Sequence, residues 1–212
     1  MRSNKIEKLK SKLKLTQHQK EVLVGVLLGD AHLESQNKGR TFRLKIEQSE
    51  SHQEYVHHLF DCFSEWVRTP PQPKSRMRLG KKTVNWWFQT YSHSSLRFYG
   101  IQFYEDRKKK VPNLIHRWLS PVALAYWYMD DGSVKSVESK GVVFNTQGFE
   151  LYEVQKLCRI LKQKFGLDCK PRKQKDDHQI YVSGHSFERF RELVAPYLVS
   201  SMAYKIPKSR AH

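Results

Sequence analysis

Three cysteines in 212 residues, Cys62, Cys158 and Cys169, are odd in number and include no Cys-x-x-Cys pair. Neither a disulfide framework nor a zinc ribbon is indicated, and the three read as reduced core or surface thiols of an intracellular protein. Long apolar runs are also missing. Nothing approaches the roughly 18 residues that span a bilayer, and no basic amphipathic helix suited to an acidic membrane surface stands out. The N-terminus lacks a signal-peptide core, and its Lys-rich, Glu-containing start (Lys5, Glu7, Lys8, Lys10, Lys12, Lys14) is unlike an Arg- and Ser-rich transit peptide. The run reads as a solvated helix face or as a DNA-contacting arm. The ten histidines show no ligand spacing, which gives no support to a histidine-metal nuclease, and His57 and His58 read as surface residues.

Acids are scarce too. Lys and Arg number 38 against 21 Asp and Glu, a formal charge of +17 spread along the chain. Such a field says little about fold but selects a polyanion as partner. A hydrophobic content of 39% with five Trp indicates a folded chain, long enough for one large domain or two small ones.

What is present occurs twice. In residues 15–31, LTQHQKEVLVGVLLGDA, Thr16 and Gln19 stand in capping-box spacing, then Val22, Leu23, Val26 and Leu27 lead to Gly29 and Asp30. In LSPVALAYWYMDDGS, Ser120 is a candidate N-cap, Pro121 suits the first helical position, and the apolar run ends in Asp130, Asp131 and Gly132. A helix C-terminus carries the negative end of the macrodipole and disfavours a carboxylate by about 0.3–1 kcal/mol. A bound cation would offset that cost.

After each helix come a polar loop, a strand and a helical stretch. The strands are TFRLKIEQ (41–48) and GVVFNTQ (141–147), each ending in a glutamine, Gln48 or Gln147. Two hairpins follow, one turning near Gly80 and the other near Asp176 and Asp177. One face of the hairpins is apolar (Met77, Leu79, Val84, Trp86, Phe88; Ile180, Val182). The other carries Arg76, Arg78, Asn85, Trp87 and Gln89, or Lys170, Arg172, Gln179 and Tyr181; Arg43 and Lys45 of the earlier strand extend it. Such a face can be merely solvated. Arg, Asn and Gln, however, are the side chains that pair with base edges, and a β-ribbon fits the major groove, so with this net charge the nucleic-acid reading is preferred.

The nonamers LVGVLLGDA (23–31) and LAYWYMDDG (124–132) resemble two copies of the LAGLIDADG motif. With NTQ and the closing YKIP, residues 16–208 resemble single-chain LAGLIDADG homing endonucleases, especially the branch containing the omega-intron endonuclease. The resemblance implies an α+β fold of two pseudo-symmetric αββαββα subdomains with saddle-shaped antiparallel sheets and the motif helices at their interface. Gly25 and Gly29, four apart, fit close helix approach, whereas Tyr126 and Asp130 stand where small residues would match. The implied boundaries are a basic arm (1–15), a first subdomain (16–105), a linker (106–120) and a second subdomain (121–212).

The implied activity is site-specific cleavage of a long double-stranded DNA target, leaving a staggered break, by a monomer using Mg²⁺ or another divalent cation such as Mn²⁺. Leu28 and Met129 fill the motif's inner acid position, which leaves Asp30 and Asp131 as the matched metal ligands. Lys205 of YKIP matches a basic active-site residue, and its counterpart is Lys109 or Lys110, between which spacing does not choose. Gln48 and Gln147 position waters, or are solvated or base-contacting residues. An RNA maturase acting on intron RNA and a non-catalytic DNA-binding regulator are the competing readings. Family habit places such proteins in a mitochondrion or chloroplast.

Overall fold

The computed structural model describes residues 4–78, 80–136 and 139–206, without the side chains of Arg78, Lys81 and Ser139. Leu79, the Arg78 side chain and Pro207 of the closing motif therefore lie outside the description. The chain runs α1 (Asn4–Lys10), α2 (Gln17–Leu28), β1 (His32–Glu34), β2 (Arg43–Ser49), α3 (Gln53–Cys62), β3 (Gln72–Arg78), β4 (Lys81–Gln89) and α4 (Arg97–Phe103). A short ribbon, β5 (Tyr104–Glu105) with β6 (Lys108–Lys109), and α5 (Ile115–Trp118) follow. The order then repeats as α6 (Pro121–Asp131), β7 (Gly132–Ser136), β8 (Ser139–Phe144), α7 (Leu151–Phe165), β9 (Cys169–Gln174), β10 (Asp177–Val182) and α8 (Phe187–Val194). The αββαββα pattern thus occurs twice.

The helix starts follow from local chemistry. Thr16 and Gln19 form the capping box, with Gln19 N donating to Thr16 Oγ1 at 3.1 Å and Thr16 N to Gln19 Oε1 at 3.0 Å. Ser120 Oγ accepts from Ala123 N, and Pro121 occupies the first turn of α6. Eight consecutive residues of α6, Val122 to Met129, are buried, the mark of a helix covered on all sides. Among the described residues no helix is long and apolar enough to cross a membrane.

Two compact units result, one of residues 1–20 and 30–101, the other of 21–29 and 102–212. The first holds an antiparallel sheet of order β1-β2-β4-β3, the second one of order β7-β8-β10-β9. α3 covers the first sheet with Tyr55, Val56 and Leu59, and Phe60 meets Phe88 edge-on. In the second unit α7 buries Val154, Leu157, Ile160 and Leu161. There Tyr128 contacts Phe144 and Phe190 at ring distances of 5.4 and 4.8 Å.

Most of α2 belongs to the second unit, where it lies on α6. A Cβ built on Gly25 would fall 2.5 Å from Ala123 O and 2.7 Å from Tyr126 Cβ, and one on Gly29 would overlap Asp130. The two glycines therefore permit the close helix approach that their spacing predicts.

Several expectations need correction. The segments after Asp30 and Asp131, expected as polar loops, form the edge strands β1 and β7. Gln147 does not end a strand, because β8 stops at Phe144 and Gln147 lies in the turn beyond. Met77 shares the face of Val84 and Phe88, yet it is 71% exposed, next to the hairpin turn on β3, the edge strand of its sheet. The half-buried His58 also departs from a simple surface residue; burial holds its pKa below the usual histidine value. The stretch 106–120 is structured, since Asp106 and Arg107 adopt positive φ to turn the β5–β6 ribbon before α5.

Candidate metal centre and nucleic-acid interface

Each motif helix ends in backbone carbonyls that lack intrahelical donors. In both copies a lysine supplies one. Lys109 Nζ donates to Gly29 O at 2.7 Å. Lys205, 8% exposed, donates to Met129 O at 2.5 Å and Asp130 O at 3.1 Å. The acceptors Gly29 and Asp130 are the residues immediately before Asp30 and Asp131, so Lys109 is the counterpart of Lys205. Lys110 instead faces Glu105 at 3.2 Å. Tyr128 donates its phenol to Lys205 O at 2.6 Å, and burial drives its pKa upward.

The cation expected at each helix end is thus, in the first instance, an ammonium group. It opposes the helix dipole where a carboxylate follows.

Asp30 is exposed and its Oδ2 accepts from Gln48 Nε2 at 2.9 Å. Asp131 is half-buried, and its carbonyl accepts from Asn145 N at 2.9 Å. Its neighbour Asp130 packs against Gly29, a helix-contact position. The pairing of Gln48 with Gln147 does not survive the ladder register. His32 pairs with Lys45 and Ser133 with Val143, so Gln48 corresponds to Thr146. Thr146 is buried and donates to His178 O.

The predicted base-facing residues share the outer face of each sheet. Cross-strand register aligns Arg43, Lys45, Asn85, Trp87, Gln89 and Arg76 in the first unit. In the second it aligns Lys170, Arg172, Gln179 and Tyr181. Lys74, also on the first face, holds its ammonium 5.9 Å from the Trp87 ring; Lys135 stands 5.1 Å from the Tyr181 ring.

The sequence model of the LAGLIDADG DNA endonuclease family matches residues 20–190. The chain belongs to that family. It is 34% identical over 198 residues to the probable intron-encoded endonuclease 1 of Wickerhamomyces canadensis, covering 91% of this chain and 85% of that one. It is 32% identical over 192 residues to the cytochrome b mRNA maturase bI2 of Debaryomyces hansenii, covering 88% and 72%. The solved structure of the homing endonuclease I-WcaI bound to its DNA recognition sequence superposes with a TM-score of 0.92 at 32% identity, covering 97% of this chain and 93% of that chain.

Among the described residues no cluster of three or more His, Cys, Asp or Glu side chains is gathered as a complete metal cage. The LAGLIDADG motifs instead offer one carboxylate each beyond the helix-end lysine, together with oxygen-bearing neighbours. Such a hard, sparse oxygen-donor set fits a divalent cation that keeps several of its waters.

Sequence reasoning missed Glu34 and Glu47, which lie on the first outer face among the cations. Glu34 Oε2 accepts from Arg43 Nε at 2.9 Å and Nη2 at 2.7 Å, with Lys45 Nζ at 3.6 Å. Glu47 Oε1 accepts from Asn85 Nδ2 at 2.9 Å and lies 3.1 Å from Arg76 Nη2. The alternation of β2 already put Glu47 on the face of Arg43 and Lys45. Glu34 was hidden because β1 has only three residues.

Proposed function

We propose that the chain is a monomeric, site-specific DNA endonuclease that makes a staggered double-strand break in a long duplex target by Mg²⁺-dependent hydrolysis. Mn²⁺ is a competent substitute. The observation that carries this reading is the repeated helix end, in which a lysine-capped carbonyl is followed directly by an aspartate. A protein that only bound DNA would gain nothing from carboxylates directed to phosphates. Two such ends in one chain supply both cuts without a second subunit.

Asp30 and Asp131 are the residues that hold the divalent ions. Bound there, the ions supply Lewis acidity toward the phosphate and a readily deprotonated water. Gln48 orients the Asp30 carboxylate through its amide. Lys109 and Lys205 place positive charge at the helix ends, lowering the cost of the carboxylates and stabilising charge that develops on the phosphate. The outer sheet faces supply duplex contacts through Arg43, Lys45, Arg76, Arg78, Asn85, Trp87, Gln89, Lys170, Arg172, Gln179 and Tyr181.

The test compares Asp131→Asn with Asp130→Asn on one duplex, with cleavage measured in Mg²⁺ and binding in Ca²⁺. Asp131→Asn should abolish the double-strand break and leave binding intact or tighter, while Asp130→Asn should retain cleavage. A dead Asp130→Asn beside an active Asp131→Asn would overturn the assignment. The Debaryomyces hansenii maturase likeness favours one second reading, assistance to intron splicing on the same scaffold. In that case Asp131→Asn would leave splicing support unchanged. We assign the protein to an organelle, mitochondrion or chloroplast, a placement that rests on family habit.

A further inference from the structure

The two outer faces differ in one respect that their shared topology does not require. The first carries Glu34 and Glu47 ion-paired to its cations, whereas the second carries Asp177 near its hairpin turn, which makes no ion pair with that face's cations among the described residues. Four residues after the second motif's Asp131, where Glu34 follows Asp30, stands Lys135. Ladder register puts Asn145 in the place of Glu47, and its Oδ1 accepts from Gln179 Nε2 at 2.6 Å. A carboxylate on a face that meets phosphate opposes binding, so its presence at two positions calls for a compensating role.

The hydrogen-bond inventory supplies one. Arg has five N–H donors, and Glu34 engages its Nε edge and Nη2. The remaining Nη donors form the forward fork that pairs with guanine O6 and N7. Asn85 gives one Nδ2 hydrogen to Glu47, which fixes the direction of its amide. The other Nδ2 hydrogen and Oδ1 are then oriented as the pair that reads adenine N7 and N6. Without the carboxylate the amide can flip and the guanidinium can turn toward any phosphate. The Arg43 guanidinium also holds the Glu34 carboxyl below its usual pKa, so the pair persists at neutral pH.

We propose that Glu34 and Glu47 are specificity-determining positioning residues. They lock Arg43 and Asn85 into base-reading orientations and suppress phosphate-driven binding by the first sheet, whereas the cations on the second sheet's outer face have no such carboxylate partner among the described residues. This rests on the DNA-endonuclease reading above.

The experiment begins with wild-type protein and a binding selection from randomised duplexes in Ca²⁺. The selected site should tolerate fewer base substitutions in one half than in the other. The selected duplex and an unrelated duplex of equal length are then titrated over a range of salt with wild type, Glu34→Gln, Glu47→Gln and the double variant. Each cation released to phosphate adds about 0.9 to the salt slope, close to tenfold in affinity at 0.1 M salt. Each single variant should bind the unrelated duplex roughly tenfold more tightly and the double variant roughly a hundredfold, with a correspondingly steeper slope. Preference for the selected duplex should fall by a similar factor, and tolerance should become even across both halves. Glu34→Asp and Glu47→Asp, which keep the charge, should retain the wild-type salt slope. A thermal melt of each variant identifies unfolded protein, and the two single variants carry the test separately if the double one does not fold. Equal changes on both duplexes, or an unchanged tolerance profile in folded variants, would overturn the inference while leaving the endonuclease reading standing. Failure of the wild type to enrich any sequence would remove both.

Discussion

Gly25→Ala probes the close helix approach most directly. The added Cβ would lie 2.5 Å from Ala123 O, a backbone atom that cannot rotate aside, and 2.7 Å from Tyr126 Cβ. Ordinary contact begins near 3.4 Å, so the helices must separate locally by about 0.9 Å, enough to forfeit much of the dispersion energy across the contact. Over-packing a well-filled interior costs about 1–3 kcal/mol, and a backbone clash of this depth belongs at the upper end. Alanine returns about 1 kcal/mol through its helix propensity. The net loss is therefore about 2 kcal/mol, which for a chain of this size lowers Tm by about 4–8 °C. Gly148→Ala is the control, because a Cβ there meets nothing within 4 Å and should change stability by less than about 0.5 kcal/mol. Differential scanning calorimetry of both variants against wild type is the assay. A Gly25→Ala protein that melts with the wild type or above it would refute the close-approach argument, and the account of Gly29 would fall with it.

Lys109→Met should slow cleavage of one strand roughly 10²-fold, as loss of a single charge-stabilising donor does elsewhere. Lys110→Met, which removes the contact with exposed Glu105, should leave the rate nearly unchanged; single-turnover assays with separately labelled strands decide, and the reverse order would exchange the two assignments. Because Arg43 lowers the Glu34 carboxyl below the ordinary 4.5, the pair's contribution to stability is full above that pH and is lost as pH falls through the lowered folded value. Glu34→Gln should cost well under about 1 kcal/mol at pH 7, since the pair is partly exposed and screened, and nothing in strong acid. Urea titrations of both proteins at the two pH values check this, and a difference that persists in acid would show that charge is not its source.

Caps and faces were legible before any coordinates. The Thr16–Gln19 box, the Ser120–Pro121 start and the alternation of Arg43, Lys45, Asn85 and Gln89 depend on spacings of two to four residues. β1 and β7 were not legible, because three to five residues next to polar turns carry too little periodicity to mark a strand. Gln147 misled for a related reason. A one-residue error in register exchanges sheet faces, and only the pairing of Ser133 with Val143 gives Thr146 rather than Gln147 the position in the second copy that Gln48 holds in the first.

By itself the sequence determined the duplication, the two motif acids and the basic partner-seeking surface, since each is written in local spacing or bulk composition. Tertiary structure alone brought Lys109, and not Lys110, to the carbonyl at the end of the first motif helix, and Lys205 to the end of α6. Those lysines reach carbonyls 80 and 75–76 residues away along the chain, a distance over which spacing rules carry no information. It alone set Asp130 against Gly29, because two helices meet there, and it closed Glu34 and Glu47 onto Arg43 and Asn85, because the partners of a strand are chosen by the sheet.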